Sequence, residues 1–217
     1  FHVIFVVPEK FSEEKQILMK ALGADIIHTK REDGMLGAAA KAQELLSEIK
    51  DSISLQQFKN MSNPKAHYET TGPEIYQDLD GKIDYLVAGA GSGGTYSGVV
   101  KFLKEQNRNI KGILADPVGS TMGGGEHADY DIEGIGNDFI ADTMDMSLVD
   151  KVIKINDSQA FDGARALARH EGILGGSSTG AAFSAALKLI YEHHVKGNIV
   201  FIAPDSGDRY FSKHLYA

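Results

Sequence analysis

Residues 83–106 read IDYLVAGAGSGGTYSGVVKFLKEQ. An apolar strand pattern, IDYLVAG, runs into clustered glycines and turns at once into a helical pattern with Val99, Val100 and Leu103 on one side. A parallel sheet covered by helices accommodates such a unit, because each parallel strand is returned by a crossover that is usually helical. The remainder of the chain repeats the alternation. HVIFVV (2–7) is a strand ended by Pro8. Ser12-Glu13-Glu14 opens a helix with Ile17, Leu18 and Leu22 on one face, stopped by Gly23. ADIIHT (24–29) is the next strand, and a helix over 36–49 turns Ala38, Ala42, Leu45, Leu46 and Ile49 inward. SLQQF (54–58) reads as a third strand, followed by turn residues 60–64 and a helix over 68–79.

After the glycine unit come strand KGILAD (111–116), a turn-rich loop from Pro117 to Asp131, strand DKVIKI (150–155) and a helix over 157–171. The last unit is GGSSTG (175–180), a helix over 181–194 and strand NIVFIAP (198–204). The pattern predicts an α/β fold with mostly parallel sheets. A change of composition near 60–66 divides the chain into a lobe over 1–60 and a larger lobe over 61–217. The first strand is already under way at Phe1, with no initiator Met or polar lead-in, so the sequence reads as a piece of a longer chain cut inside its first lobe.

Composition narrows the function. The net charge of −8 and the lack of any basic run argue against nucleic acid or an anionic membrane as partner. No apolar run approaches the roughly 20 residues that span a bilayer. Cysteine is absent, so disulfides, thiolate metal sites and thiol nucleophiles are excluded, in keeping with a reducing compartment.

A strand, glycines and a helix start make an anion site. Amides at a helix N-terminus point outward, and the helix dipole adds about half a positive charge there. Ser92 and Thr95 add hydroxyls, which makes phosphate the natural guest; a tight turn without a ligand is the plainer alternative. Gly89, Gly91 and Gly94 satisfy G-x-G-x-x-G, and Asp116 ends the next strand at the spacing of a ribose ligand, so an NAD(P)-dependent oxidoreductase is one reading. It leaves the second cluster, Gly175 to Gly180, without a task, and a whole α/β lobe precedes the motif.

Other candidates have plainer explanations. His193 and His194 are adjacent, so on a helix they diverge by about 100° and suit a solvated end better than a metal. His127, Asp138, Asp142 and Asp145 lie in polar loop sequence without calcium-loop spacing, and no metal site is expected. Asp205-Ser206 lacks the nucleophile-elbow pattern and ends a strand. Tyr96 suits either packing or a cofactor contact.

Several segments carry a resemblance when taken together. GSGGTYSG (91–98), VVPEKFSEEK with LGADIIHT (6–29), QFKNMSNPKAHYETTGPEI (57–75), DPVGS (116–120), EGIGNDFI (133–140), EGILGGSSTGAA (171–182) and PDSGDRYFSK (204–213) are similar, in this order, to segments of the cysteine synthase and cystathionine β-synthase family. Its members are pyridoxal-phosphate enzymes of fold type II. The resemblance covers nearly the whole chain and is of bacterial type. It implies a three-layer α/β fold like that of the tryptophan synthase β chain, with mostly parallel sheets in two lobes and the first lobe incomplete. It also implies that Gly91, Ser92, Gly93, Gly94 and Thr95 bind the pyridoxal 5'-phosphate phosphate group and that Ser178 meets the ring nitrogen. Gln57 would lie at the substrate carboxylate, and Gly134 and Gly136 in a loop that closes over the amino acid. His67 would be structural.

The family's Schiff-base lysine stands in a Ser-x-Lys-Asp-Arg-like segment absent here, as is the Ser/Thr-Gly-Asn-Thr-Gly loop; both belong upstream of Phe1. Lys10, Lys15 and Lys20 stand in other contexts and are not nominated, so the catalytic lysine is expected outside this chain. The implied activity is β-replacement on O-acetylserine or serine by sulfide or homocysteine, with a slight lean to cystathionine formation, in a cytoplasmic homodimer. A non-catalytic partner that kept the pocket is the remaining alternative.

Overall fold

The computed structural model describes all 217 residues as two compact units, Phe1–Leu55 with Gly207–Ala217, and Gln56–Ser206. In the first unit, β1 (Ile4–Pro8) and β2 (Asp25–Thr29) pair in parallel, Ile4 opposite Asp25 through Pro8 opposite Thr29. Helix α1 (Glu13–Ala21) joins them, and α2 (Gly34–Glu48) packs back on both strands. Gly23 takes φ +88° after α1, a left-handed stop that glycine adopts without steric penalty. The tail closes this unit. A 3-10 segment, Gly207–Lys213, lies against α1, where Glu14 accepts from Ser212 N (2.6 Å) and Ser212 Oγ (2.7 Å) and Lys15 Nζ donates to Tyr210 OH (2.6 Å).

In the second unit, β3 (Tyr85–Gly89), β4 (Lys111–Pro117), β5 (Lys151–Ile155) and β6 (Ile199–Phe201) form one parallel sheet in the order β5-β4-β3-β6. Successive strand residues face opposite layers. Leu86, Ala88 and Leu114 pack with Tyr96, Val99, Val100 and Leu103 of α5 (Gly94–Gln106), whereas Val87, Ile113, Ala115, Ile153 and Ile155 pack with Ala160 of α6 (Asp157–Glu171) and Ala181, Ala185 and Leu189 of α7 (Ser177–Tyr191). Burial on both faces explains why β3 and the middle of β4 read as apolar runs. Two further helices, α3 (Ser62–Glu69) and α4 (Thr71–Asp78), back α5 and complete the outer layer. The unit is a three-layer α/β sandwich. No helix of the chain is long and apolar enough to cross a membrane.

Helices α5 and α6 occupy the bounds that the sequence predicts, 94–106 and 157–171. Helix α6 is set by a capping box in which Asn156 Oδ1 accepts from Gln159 N (2.9 Å) and Gln159 Oε1 from Asn156 N (3.1 Å). SLQQF (54–58) is not a strand. Gln56 takes φ +50°, outside the extended region, and its carbonyl accepts from Lys59 N (2.8 Å) and Asn60 N (2.9 Å) to form a turn. The helix expected over 68–79 is two helices, parted at Thr70 (φ −125°, ψ −72°). Pro73 belongs in a first turn, where it needs no N–H partner, so a new helix begins just before it. Helix α7 starts at Ser177 and not at 181, because Ser177 to Gly180 form its first turn. The division between units falls after Leu55, and the tail from Gly207 belongs with the first, whereas composition alone divides the chain at 60.

Candidate active site

In the second unit the chain passes from β3 outward to β4 and β5, then returns to the other side of β3 as β6. Open α/β sheets bind ligands at the carboxyl ends of the strands, where the winding reverses. The Gly91–Thr95 loop leaves β3 there, and residues 202–206 leave β6. Gly93 caps α5 in a left-handed conformation (φ +82°), and no side chain caps this helix start. Apart from a long contact from Gly94 N to Ser92 Oγ (3.4 Å), the first-turn amides and the positive end of the dipole are offered to a ligand.

The loop is braced from several sides. Asn63 Nδ2 donates to Ser92 Oγ (2.9 Å), and His67 Nε2 lies 3.0 Å from Thr95 Oγ1. Both residues belong to α3, one turn apart, so one helix face holds both hydroxyls of the cradle. Asn137 Nδ2 donates to the Gly91 carbonyl (2.5 Å), Gly136 N to the Ala90 carbonyl (2.8 Å), and Thr143 Oγ1 to the Ser92 carbonyl (2.6 Å). These contacts hold the loop main chain in one shape before any ligand arrives.

The start of α7 is held just as firmly. Asp205 Oδ1 accepts from Gly176 N (3.2 Å), Gly175 bridges Ser206, and Ser177 Oγ accepts from Glu133 N (2.9 Å). Ser178 is 3% exposed, and its hydroxyl makes no hydrogen bond to the protein. Gly134 links the two halves. A Cβ on Gly91 would stand 2.6 Å from the Gly134 carbonyl oxygen, and a Cβ on Gly134 would stand 4.0 Å from Ser178 Oγ. The glycine loop, Gly134 and Ser178 therefore lie next to one another. Gln57 lies in the turn beside it, its carbonyl accepting from Asn63 Nδ2 (2.9 Å).

Burial pushes the His67 imidazole below its ordinary value of 6.5. The folded state resists a proton that the unfolded chain accepts near that value, so the stability His67 contributes is complete above pH 6.5 and is lost as pH falls below it. Replacing His67 with glutamine is expected to flatten this part of the profile, measured by urea unfolding between roughly pH 7 and 5.

Asp116 has another task than a ribose. It is 1% exposed, and its Oδ2 accepts from Lys154 Nζ (2.5 Å) and Gly123 N (3.1 Å). This removes the acidic ligand from the dinucleotide reading. Tyr96 is fully buried over β4 as a core residue, and burial pushes its phenol far up. His127 pairs with Asp138 on the surface (2.8 Å), Asp145 accepts from Ser147 N (3.0 Å) in a 3-10 turn, and His193 and His194 are exposed beyond α7. Lys10, Lys15 and Lys20 belong to the first unit. No group of three or more His, Asp or Glu side chains is arranged to hold a metal ion. The bracing residues Asn63, Asn137 and Thr143 escape sequence reading; the only trace is that Asn63 and Asn137 stand inside the QFKNMSNPKAHYETTGPEI and EGIGNDFI segments.

Comparison with known proteins gives the family and agrees with the fold. The sequence profile of the family described as pyridoxal-phosphate dependent enzyme matches residues 1–205. The O-acetylserine dependent cystathionine beta-synthase of Bacillus subtilis (strain 168) is 51% identical over 213 residues, 98% of this chain and 69% of that protein. A cysteine synthase of Helicobacter pylori (strain J99) is 46% identical over 99% of this chain and 70% of its own length. The crystal structure of the O-acetylserine dependent cystathionine beta-synthase from Helicobacter pylori superposes with a TM-score of 0.93 at 45% identity, covering 99% of this chain and 70% of that one. The chain thus spans about 70% of the length of these relatives. On the match of its profile, its relatives and its fold, the chain belongs to the pyridoxal-phosphate dependent enzyme family.

Proposed function

We propose that this chain supplies the phosphate cradle and the ring partner of an enzyme that exchanges the β-substituent of O-acetylserine or serine for sulfide or homocysteine, making cysteine or cystathionine. Relatives named cystathionine beta-synthase favour the homocysteine branch. The observation that carries the proposal is the pairing of an uncapped, glycine-lined helix start with the hydroxyl of Ser178, a residue only 3% exposed whose side chain makes no hydrogen bond to the protein and faces the Gly134 turn. A phosphate dianion suits the first and an aromatic nitrogen the second, so the residues fit pyridoxal phosphate.

When bound, pyridoxal phosphate supplies an electron sink for the carbon that carries the amino group. Gly91 to Thr95 hold its phosphate through backbone N–H groups and two hydroxyls braced by α3. Ser178 donates its one proton to the ring nitrogen and leaves that nitrogen uncharged, which moderates the sink and suits loss of a β-substituent over transamination. Gln57 receives the substrate carboxylate, and Gly134 and Gly136, both left-handed (φ +88° and +81°), let the 133–140 segment close over the amino acid. None of the chain's lysines is assigned the Schiff base. A cytoplasmic homodimer is part of the same proposal.

Ser178 provides the test. In the protein that carries this chain, Ser178→Asp is expected to lower β-replacement turnover by about 100-fold, or roughly 2.7 kcal/mol, with cofactor still bound. Ser178→Ala is expected to lower it by about tenfold. Turnover measured with O-acetylserine and either nucleophile decides the matter, and full activity in Ser178→Asp would overturn the assignment.

A further inference from the structure

Two turns distant in sequence meet at one side chain. Asn63, in the first turn of α3, donates from a single nitrogen to Ser92 Oγ of the glycine loop (2.9 Å) and to the Gln57 main-chain carbonyl (2.9 Å). A carboxamide nitrogen carries two protons and can serve two acceptors at once, which a hydroxyl cannot. Thr143, 1% exposed, repeats the link. Its hydroxyl donates to the Ser92 carbonyl (2.6 Å) and approaches the Gln57 carbonyl (3.5 Å), while its N–H reaches Phe58 O (3.4 Å).

The space around Asn63 is closed, because a Cβ on Gly94 would stand 2.0 Å from Asn63 Oδ1. The turn on the other side has no strand or helix to hold it, and Gln56 sits there in a left-handed conformation (φ +50°). Asn63 and Thr143 therefore decide where Gln57 stands relative to Ser92.

We infer that Asn63, seconded by Thr143, is a positioning residue that couples the phosphate loop to the placement of Gln57 at the carboxylate of the amino-acid substrate. The inference rests on the reading above, in which Ser92 meets the cofactor phosphate and Gln57 the substrate carboxylate. A phosphate that fixes the Ser92 hydroxyl also fixes the acceptor of one Asn63 proton, and the other proton holds the Gln57 turn. Coupling of this kind is reciprocal, so amino-acid binding tightens the grip on the cofactor by the same factor.

The test uses the protein that carries this chain, pyridoxal phosphate, O-acetylserine and sulfide. For Asn63→Ala, the cofactor dissociation constant, read from fluorescence titration, is expected to rise about tenfold, the equivalent of one lost hydrogen bond. At saturating cofactor, the KM for O-acetylserine is expected to rise by a similar factor, with kcat within about threefold. Thr143→Val, which keeps its shape, is expected to shift the same two quantities and decides the question if Asn63→Ala does not fold. A weaker hold on the cofactor with KM unchanged would reduce Asn63 to a brace of the loop and overturn the coupling, as would no change in either quantity. Gln57→Ala separates the two layers of argument. If it leaves KM unchanged, the placement of Gln57 at the carboxylate fails; if it raises KM and the other two variants do not, only the coupling fails.

Discussion

Lys154→Met is expected to destabilise the fold by about 3–5 kcal/mol, because it strands a buried carboxylate. Asp116, at the end of β4, is 1% exposed, and Lys154, near the end of neighbouring β5, is the cation beside it (2.5 Å). Lys154 Nζ also donates to the Ser120 carbonyl (2.6 Å) and Asp116 accepts from Gly123 N (3.1 Å), so the pair pins the start of the loop that leads on to Gly134. Removing the cation leaves Asp116 with a single donor in a setting that solvates charge poorly. Urea unfolding gives the size of the loss. The double variant Asp116→Leu with Lys154→Met is expected to regain much of it, since removing both charges spares the desolvation of either. A single variant as stable as the parent would show that water reaches Asp116.

The second large effect is expected at Gly180. Helices α6 and α7 cross where a Cβ on Gly180 would stand 1.9 Å from the Ala160 carbonyl oxygen and 2.7 Å from Ala164 N. Both obstacles are main chain, so no side chain can swing aside. Gly163 faces the same crossing, where its Cβ would meet the Gly180 carbonyl at 2.6 Å. Gly180→Ala is expected to force the helices apart and cost about 3 kcal/mol or more, at the upper end of overpacking effects, visible as a lowered Tm. Because Ser178 lies in the same first turn of α7, the displacement is expected to weaken cofactor binding as well. Gly172→Ala is the control: unlike Gly180 the site has a positive φ (+70°), but nothing stands within 4 Å of the added methyl, so its cost is confined to backbone strain of about 1 kcal/mol.

Much of this architecture was legible where one segment carries its own explanation. The ends of α6 follow from Asn156 and Gln159 at the front and left-handed Gly172 behind, all of which can be read from local residue types. The glycine loop was legible for the same reason, because a strand that ends in glycines and continues as a helix offers its amides whatever surrounds it. SLQQF misled because β-propensity describes a side chain's fit to a half-buried sheet, and this turn has no neighbouring strand; Leu55 remains 77% exposed. Asp116 misled by spacing alone, since its partner Lys154 is fixed by sheet order and not by sequence distance. The braces of the site were illegible for a further reason. Thr143 meets Ser92, and Asn137 meets Gly91, across long stretches of chain, and single polar contacts of this kind leave no periodic trace.

The tail that docks on α1 makes the first unit a long-range assembly. Residues 56–206 are contiguous and can close their sheet once β6 has left the ribosome. In the first unit, Tyr210 and Ser212 meet Lys15 and Glu14 across sequence separations of 195 and 198 residues. Closing so long a loop costs entropy that the contact repays only once it has formed, so this contact is expected to form after the local ones.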